Sequence, residues 1–129
     1  MIHLSWLVKH HVLLSEVTEL WTYEDVEAFS VELQRYLEEA GALQYHVVNI
    51  HVYGFPLTTN FSRMVGYFKD IPSDTVGEML LIVPHPTMRI ILTSVAYILR
   101  WKHTVFNTVE EAYAYIEQET DFNLESVQR

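Results

Sequence analysis

The sequence predicts an α/β domain with the element order ββαβαβαβα. Short apolar runs typical of strands alternate with segments whose apolar residues recur at helical spacing. The first two strands are separated by only a short turn, which predicts an antiparallel hairpin. Each later strand is preceded by a helix, which is typical of parallel strands joined by helical crossovers. We therefore predict a mostly parallel five-stranded sheet with helices packed on both faces.

The first elements are the hairpin and a long helix. Ile2–Val8 alternates apolar and polar residues, and Val12–Val17 follows after a turn at residues 9–11. Alternation with a period of two is typical of a half-buried strand. Thr22 is predicted to begin the first helix, because acidic residues follow it in the first turn. Gly41 is predicted to end that helix, as glycine commonly does just after the last turn.

The middle of the chain repeats the strand and helix pattern. Residues 45–52 are nearly continuously apolar, as buried parallel strands are. A second helix is predicted over residues 59–69 and a fourth strand over residues 77–83. Residues 85–101 predict a third helix, with Pro86 in its first turn, where proline is tolerated.

The last elements are a short strand and a helix. His103–Phe106 is the fifth predicted strand, and residues 108–111 match a capping box, a hydroxyl followed three residues later by a carboxylate. The closing helix then runs to about Glu119. We therefore expect a single domain over residues 1–118 and a C-terminal tail over residues 119–129.

Composition and charge exclude several classes of function. The chain has 129 residues, a formal net charge of −9 and no cysteine. Phosphates of nucleic acids and anionic membrane surfaces repel such a chain, and disulfides and thiol chemistry are absent. No apolar run reaches the roughly 18 residues of a membrane span, and the N-terminus lacks the pattern of a signal peptide. We expect a cytoplasmic protein that binds neither nucleic acid nor membrane.

Catalytic and metal-binding patterns are not found. His46 and His51 lie on one predicted strand at an odd spacing, so they point to opposite faces of the sheet. None of the patterns H-x-H, H-x-x-x-H and H-E-x-x-H occurs among the seven histidines. The sequence also has no Gly-x-Ser-x-Gly motif and no glycine-rich phosphate loop. We expect no enzyme activity, no metal and no cofactor, although carboxylates from different elements can still meet in space.

The corner between the third strand and the second helix is one candidate site, because ligands of parallel α/β folds bind at such corners. Thr58 or Thr59 is either a phosphoacceptor, whose added charge would change partner binding, or the N-cap of the helix. We favour the cap. Phe55 and the aromatic residues around it indicate either an apolar ligand pocket or ordinary core.

The third predicted helix has two apolar faces, which makes it a candidate interface. At 100° per residue, one stripe would face the sheet. This stripe consists of Met88, Ile91, Leu92, Val95, Ile98 and Leu99. Ile90, Tyr97 and Trp101 fall on the opposite side, with Arg89 and Arg100 beside them. Large apolar side chains flanked by arginine are typical of interface centres, so we predict a homodimer contact or a partner's docking face. The alternative is that another part of the chain covers this side.

The element order, together with three stretches of sequence, resembles the STAS-like domains, the family of anti-sigma-factor antagonists and their relatives. The stretches are "LWTYEDVEAFSVELQRYLEEA", "HVVNIHVYGFP" and "TVFNTVEEAYAYI", and the resemblance spans roughly residues 2–118. In regulatory members of the family, a serine in an Asp-Ser pair opens the helix after the central strand and is phosphorylated by a partner kinase. This chain has Thr58 and Thr59 at about that place and no Asp-Ser pair, which puts that switch in doubt.

The resemblance implies a non-catalytic STAS-like protein of a bacterial regulatory system that acts through protein–protein interaction. We expect it to bind a second copy of itself or another protein. The alternative is a module that binds a small molecule or lipid in an apolar cleft beside Phe55.

Overall fold

The computed structural model describes residues 2–52 and 60–124, except for the side chain of Phe61. Over these residues the chain forms one five-stranded sheet and four α-helices, with a short 3₁₀ turn at Ser73–Thr75. In chain order the elements are β1 (Ile2–Val8), β2 (Val12–Val17), α1 (Tyr23–Ala40), β3 (Tyr45–Ile50), α2 (Phe61–Phe68), β4 (Glu78–Ile82), α3 (Pro86–Ile98), β5 (His103–Phe106) and α4 (Val109–Glu119).

The strands lie in the sheet in the same order as in the chain. β1 is antiparallel to β2, and β2, β3, β4 and β5 are parallel neighbours, which confirms the predicted fold class. Each parallel crossover therefore places the next strand beside the previous one, always further along the sheet in the same direction. Because such crossovers are right-handed, the three crossover helices fall on one face of the sheet. The helix that follows the last strand covers the other face.

Two hydrophobic cores result from this arrangement. The first lies between the sheet and the helices α1, α2 and α3, and it contains Leu13, Leu33 and Leu81. The second lies under α4 and includes Leu124, which is fully buried. Phe122 and Leu124, which we assigned to the C-terminal tail, therefore pack against the domain.

The predicted helix caps of α1 and α4 are confirmed. The Thr22 hydroxyl accepts a hydrogen bond from the Asp25 backbone N–H, and the Asp25 carboxylate accepts one from the Thr22 N–H, at 3.2 and 2.9 Å. Gly41 ends α1 with φ 81°, and its N–H donates to the Leu37 carbonyl at 2.8 Å. The Thr108 hydroxyl accepts from the Glu111 N–H at 3.2 Å.

The start of α2 differs from the prediction. Asn60 is the N-cap, and its side-chain oxygen accepts from the Arg63 N–H at 3.1 Å. It has the role that we assigned to Thr58 or Thr59, because an asparagine amide oxygen caps a helix at least as well as a threonine hydroxyl. Thr58, Thr59 and Phe55 lie outside the described residues, so a phosphoacceptor or ligand pocket there stays a prediction.

Candidate functional site

The outer side of α3 exposes large apolar side chains. Ile90 is 66%, Tyr97 79% and Ile98 54% exposed, and we call these three residues the α3 surface. The exposure of Ile90 and Tyr97 agrees with the helical periodicity, while their role as an interface stays a prediction. Ile98 was predicted to face the sheet, but at 100° per residue it lies at the edge of the inward stripe, about 60° from its centre. α3 also ends there, so no further turn covers it.

Trp101 does not project from the outer side of α3 with Ile90 and Tyr97, so that part of the prediction is wrong. Its side chain is only 6% exposed, and its ring meets the Phe68 ring edge-on with 5.5 Å between centroids. The physical reason is the end of α3. Arg100 has φ 61°, a left-handed conformation that reverses the chain, and the Trp101 N–H donates to the Ala96 carbonyl at 2.8 Å. The indole is therefore directed into the core, not along the outer face of the helix.

The polar side chains between Ile90 and Tyr97 on α3 bond to their own helix. The Thr93 hydroxyl donates to the Arg89 carbonyl at 2.8 Å, and the Ser94 hydroxyl donates to the Ile90 carbonyl at 2.7 Å. Hydroxyls bonded in this way offer no free donor to solvent. The area between Ile90 and Tyr97 is therefore largely apolar in its contacts.

The surroundings of the α3 surface differ in charge from the rest of the protein. No acidic residue occurs between Glu78 and Glu110, although the chain has a net charge of −9. Arg100 and Lys102 are exposed beside the surface. Both also line an open depression together with Tyr97 and Ile98. An apolar centre, a basic rim and an adjoining depression therefore occur together here.

A second candidate site is a cavity inside the first core. It has a volume of about 80 Å³ and lies between the sheet and the helices α1, α2 and α3. Its lining is almost entirely carbon and includes Val17, Trp21, Phe29, Leu81, Ala96 and Trp101. Ile50 and Met64 also line it, and they flank the predicted corner in the chain. The corner itself, with Phe55, lies outside the described residues.

A buried serine–histidine pair lies on the same side of the sheet as the cavity. Ser15 on β2 and His46 on β3 are both fully buried, with 2.6 Å between Oγ and Nε2. Burial lowers the pKa of His46 to about 4, so the ring is neutral at pH 7. Ser15 also lines the cavity. Sequence reasoning placed His46 and His51 on opposite faces, as observed, but did not find the pairing with Ser15.

The other face of the sheet holds a buried carboxylate. Glu78 on β4 accepts hydrogen bonds from the Thr104 hydroxyl at 2.9 Å and from the Tyr115 hydroxyl at 2.7 Å. The hydrogen bond to Glu78, helped by burial, raises the pKa of Tyr115 to about 12. Tyr115 therefore remains a donor throughout the physiological pH range, and the contact fastens α4 to the sheet.

The described residues contain neither a metal-binding cluster nor a membrane-spanning helix. Within residues 2–52 and 60–124, no group of three or more His, Cys, Asp or Glu side chains is arranged to hold a metal ion. None of the helices in this part of the chain is both long and apolar enough to cross a membrane.

Comparison with known proteins identifies the fold. No protein-family model matches the sequence, and the comparison with curated proteins gives no match. Among solved structures, the chain is similar to the anti-sigma factor antagonist SpoIIAA in its unphosphorylated form, with a TM-score of 0.61 and 15% sequence identity. The similarity covers 92% of this chain and 97% of that one. The chain therefore has the STAS-like fold that the sequence predicted, and at this identity the likeness shows the fold alone.

Proposed function

We propose that this protein is a non-catalytic module that acts through protein–protein contact, and that it forms a homodimer through the α3 surface. One observation carries the proposal. Ile90, Tyr97 and Ile98 are exposed together on a segment without acidic residues, in a chain whose net charge is −9. Clustered apolar side chains on a surface mark interaction sites more often than scattered ones do.

Charge favours a second copy as the partner. Two chains of net charge −9 repel each other, and the repulsion is weakest where no carboxylate lies between them. Val31, another exposed apolar residue, lies on α1, which carries six acidic residues and is a poorer contact for that reason.

Two-fold symmetry suits the shape of the α3 surface. In a symmetric dimer the same patch meets itself, so it must offer both a projection and a recess. Tyr97 projects from α3, and the depression lined by Ile98, Arg100 and Lys102 lies beside it. The Arg100 guanidinium can stack on the tyrosine ring of the other copy, a contact that arginine favours.

The likeness of fold supports a regulatory role. SpoIIAA is described as an anti-sigma factor antagonist, and a protein of that kind acts on another protein. We extend this by proposal to the present chain, as a regulatory protein of the bacterial cytoplasm.

Sedimentation of charge-matched variants tests the proposal. Tyr97→Glu places a carboxylate at the centre of the α3 surface, whereas Val31→Glu adds the same charge on α1. We expect Tyr97→Glu to sediment as a monomer of about 15.2 kDa and Val31→Glu to sediment like the wild-type dimer. A folded Tyr97→Glu protein that keeps the wild-type sedimentation coefficient would contradict the proposal.

A further inference from the structure

The two edge strands of the sheet, β1 and β5, differ in how they are protected. On β1, an irregularity between Trp6 and Val8 interrupts the register, and the Tyr36 hydroxyl donates to the Leu4 carbonyl at 3.1 Å. Both features hinder the pairing of a further strand with β1. Within the described residues β5 has neither feature, because its register with β4 is regular and no hydrogen bond from outside the sheet reaches its backbone.

The backbone groups that β5 leaves free follow from its register with β4. The Met79 N–H donates to the Lys102 carbonyl at 2.8 Å, and Met79 lies opposite His103. In a parallel ladder alternate residues direct both of their backbone groups to the same neighbour, so Lys102 and Thr104 bond to β4. The N–H and carbonyl groups of His103 and Val105 therefore point away from β4, and both residues are only half-buried. These four groups form an open edge to which another strand can be added.

The open edge of β5 adjoins the α3 surface. The chain passes from the end of α3 directly into β5. Tyr97 and Ile98 of the α3 surface line the same depression as Lys102 and His103 at the start of β5. A second copy that contacts the α3 surface therefore also comes close to this edge.

We infer that the homodimer joins its two sheets by antiparallel pairing of β5 with the same strand of the partner, an inference that rests on the proposed function. A two-fold axis perpendicular to the sheet makes the two edge strands antiparallel. One register uses all four free groups of each strand: it places His103 opposite the partner's Val105, and Thr104 opposite the partner's Thr104. The two five-stranded sheets then form one continuous sheet, with both copies of α3 on the same face.

Charge favours a second copy as the strand that pairs with β5. Lys102 is exposed at the start of β5, and Glu110 and Glu111 are exposed just beyond its end, in the first turn of α4. Antiparallel pairing brings the basic start of one strand beside the acidic residues that follow the other. Lys102 itself lies opposite the partner's Phe106, so the register places no two like charges face to face.

A single cysteine at the two-fold axis tests the pairing, because the chain has no cysteine of its own. In this register Thr104 and the partner's Thr104 form a non-hydrogen-bonded pair, whose Cα atoms are about 4.5 Å apart and within reach of a disulfide. Mild oxidation of Thr104→Cys should therefore give a covalent dimer. Ser5→Cys is the matched control, because it is exposed on the opposite edge strand and should stay a monomer on a denaturing gel.

Amide hydrogen exchange tests the same pairing without a change in β5. The N–H groups of His103 and Val105 should exchange at least about tenfold more slowly in the wild-type dimer than in the Tyr97→Glu monomer. The Thr104 N–H, which bonds to β4, should be protected in both proteins and shows that β5 stays folded. Equal exchange of His103 and Val105 in the dimer and in the folded monomer would overturn the inference.

The inference and the proposed function fail in different ways. A wild-type protein with the mass of a dimer, whose Thr104→Cys variant is cross-linked no faster than Ser5→Cys, would overturn the pairing of β5 and leave the contact through the α3 surface. A wild-type protein that is a monomer would overturn both.

Discussion

Ser15 and His46 form a fully buried side-chain hydrogen bond between neighbouring parallel strands, with 2.6 Å between Oγ and Nε2. The bond is diagonal, because the register of β2 and β3 places Leu13, not Ser15, directly opposite His46. Both side chains therefore project from the face of the sheet that α1, α2 and α3 cover. The pair places a titratable group in the middle of an otherwise apolar layer.

Acidification should destabilise the fold through this histidine. The folded-state pKa of His46 is about 4, below the ordinary value of 6.5, so the unfolded chain binds the proton more tightly. The stabilising contribution of the neutral ring is complete above pH 6.5 and is lost as the pH falls towards 4. The expected loss in the free energy of unfolding is about 3 kcal/mol over that range.

Urea unfolding at a series of pH values measures this effect. His46→Gln keeps a polar partner for Ser15 but does not titrate, so its free energy of unfolding should fall less steeply with decreasing pH. Equal slopes for the two proteins between pH 6.5 and 4.5 would show that His46 does not titrate as described.

Removal of the Tyr115 hydroxyl should loosen α4. Tyr115→Phe deletes one of the two hydroxyl donors to the buried Glu78 carboxylate and leaves Thr104 as the other. We expect the free energy of unfolding to fall by about 1–3 kcal/mol, since hydrogen bonds to charged groups are the stronger ones. Tyr97→Phe removes an exposed hydroxyl and serves as the control. Thermal unfolding that is the same for both variants would contradict the anchoring role of Tyr115.

Two glycines should respond to alanine in opposite directions. Gly77 has φ 66°, and a Cβ there would lie 2.6 Å from the backbone carbonyl oxygens of Leu43 and Gln44. Gly66 is helical, and a Cβ there meets nothing within 4 Å. We expect Gly77→Ala to cost at least about 2 kcal/mol of stability and Gly66→Ala to gain about 0.5–1 kcal/mol. Chemical denaturation measures the free energy of unfolding of both variants. A Gly77→Ala protein as stable as wild type would show that the backbone at Gly77 does not approach the Leu43 and Gln44 carbonyls so closely.

Local signals in the sequence were sufficient for most of the fold. Thr22, Gly41 and Thr108 mark helix ends through bonds that reach only three or four residues, so the residue types alone predict them. Alternation and apolar runs located all five strands, because side-chain direction in a strand depends only on position.

The end of α3 could not be predicted in this way. Arg100 adopts a left-handed conformation that is usual for glycine, and an arginine in the sequence does not predict that conformation. Helical periodicity was therefore extended to Trp101, which the chain reversal instead directs into the core. The same early end leaves Ile98 exposed. Ile98 therefore belongs to the α3 surface, whereas Trp101, which was predicted to lie on the outer side of the helix, does not.

The side-chain contacts between distant elements could not be predicted from the sequence either. The pairing of Ser15 with His46 depends on the register of two strands that are about 30 residues apart, and no local pattern fixes that register. The bond from Tyr115 to Glu78 likewise joins a helix to a strand 37 residues away. Both contacts appear only once the sheet is assembled.

The molar mass of the wild-type protein in solution tests the central proposal most directly. Light scattering coupled to size exclusion, over a range of protein concentrations, gives this mass without a probe or a mutation. A homodimer through the α3 surface predicts a mass of twice 15.2 kDa that falls towards 15.2 kDa on dilution or with Tyr97→Glu. A mass of 15.2 kDa at every concentration up to the millimolar range would contradict it.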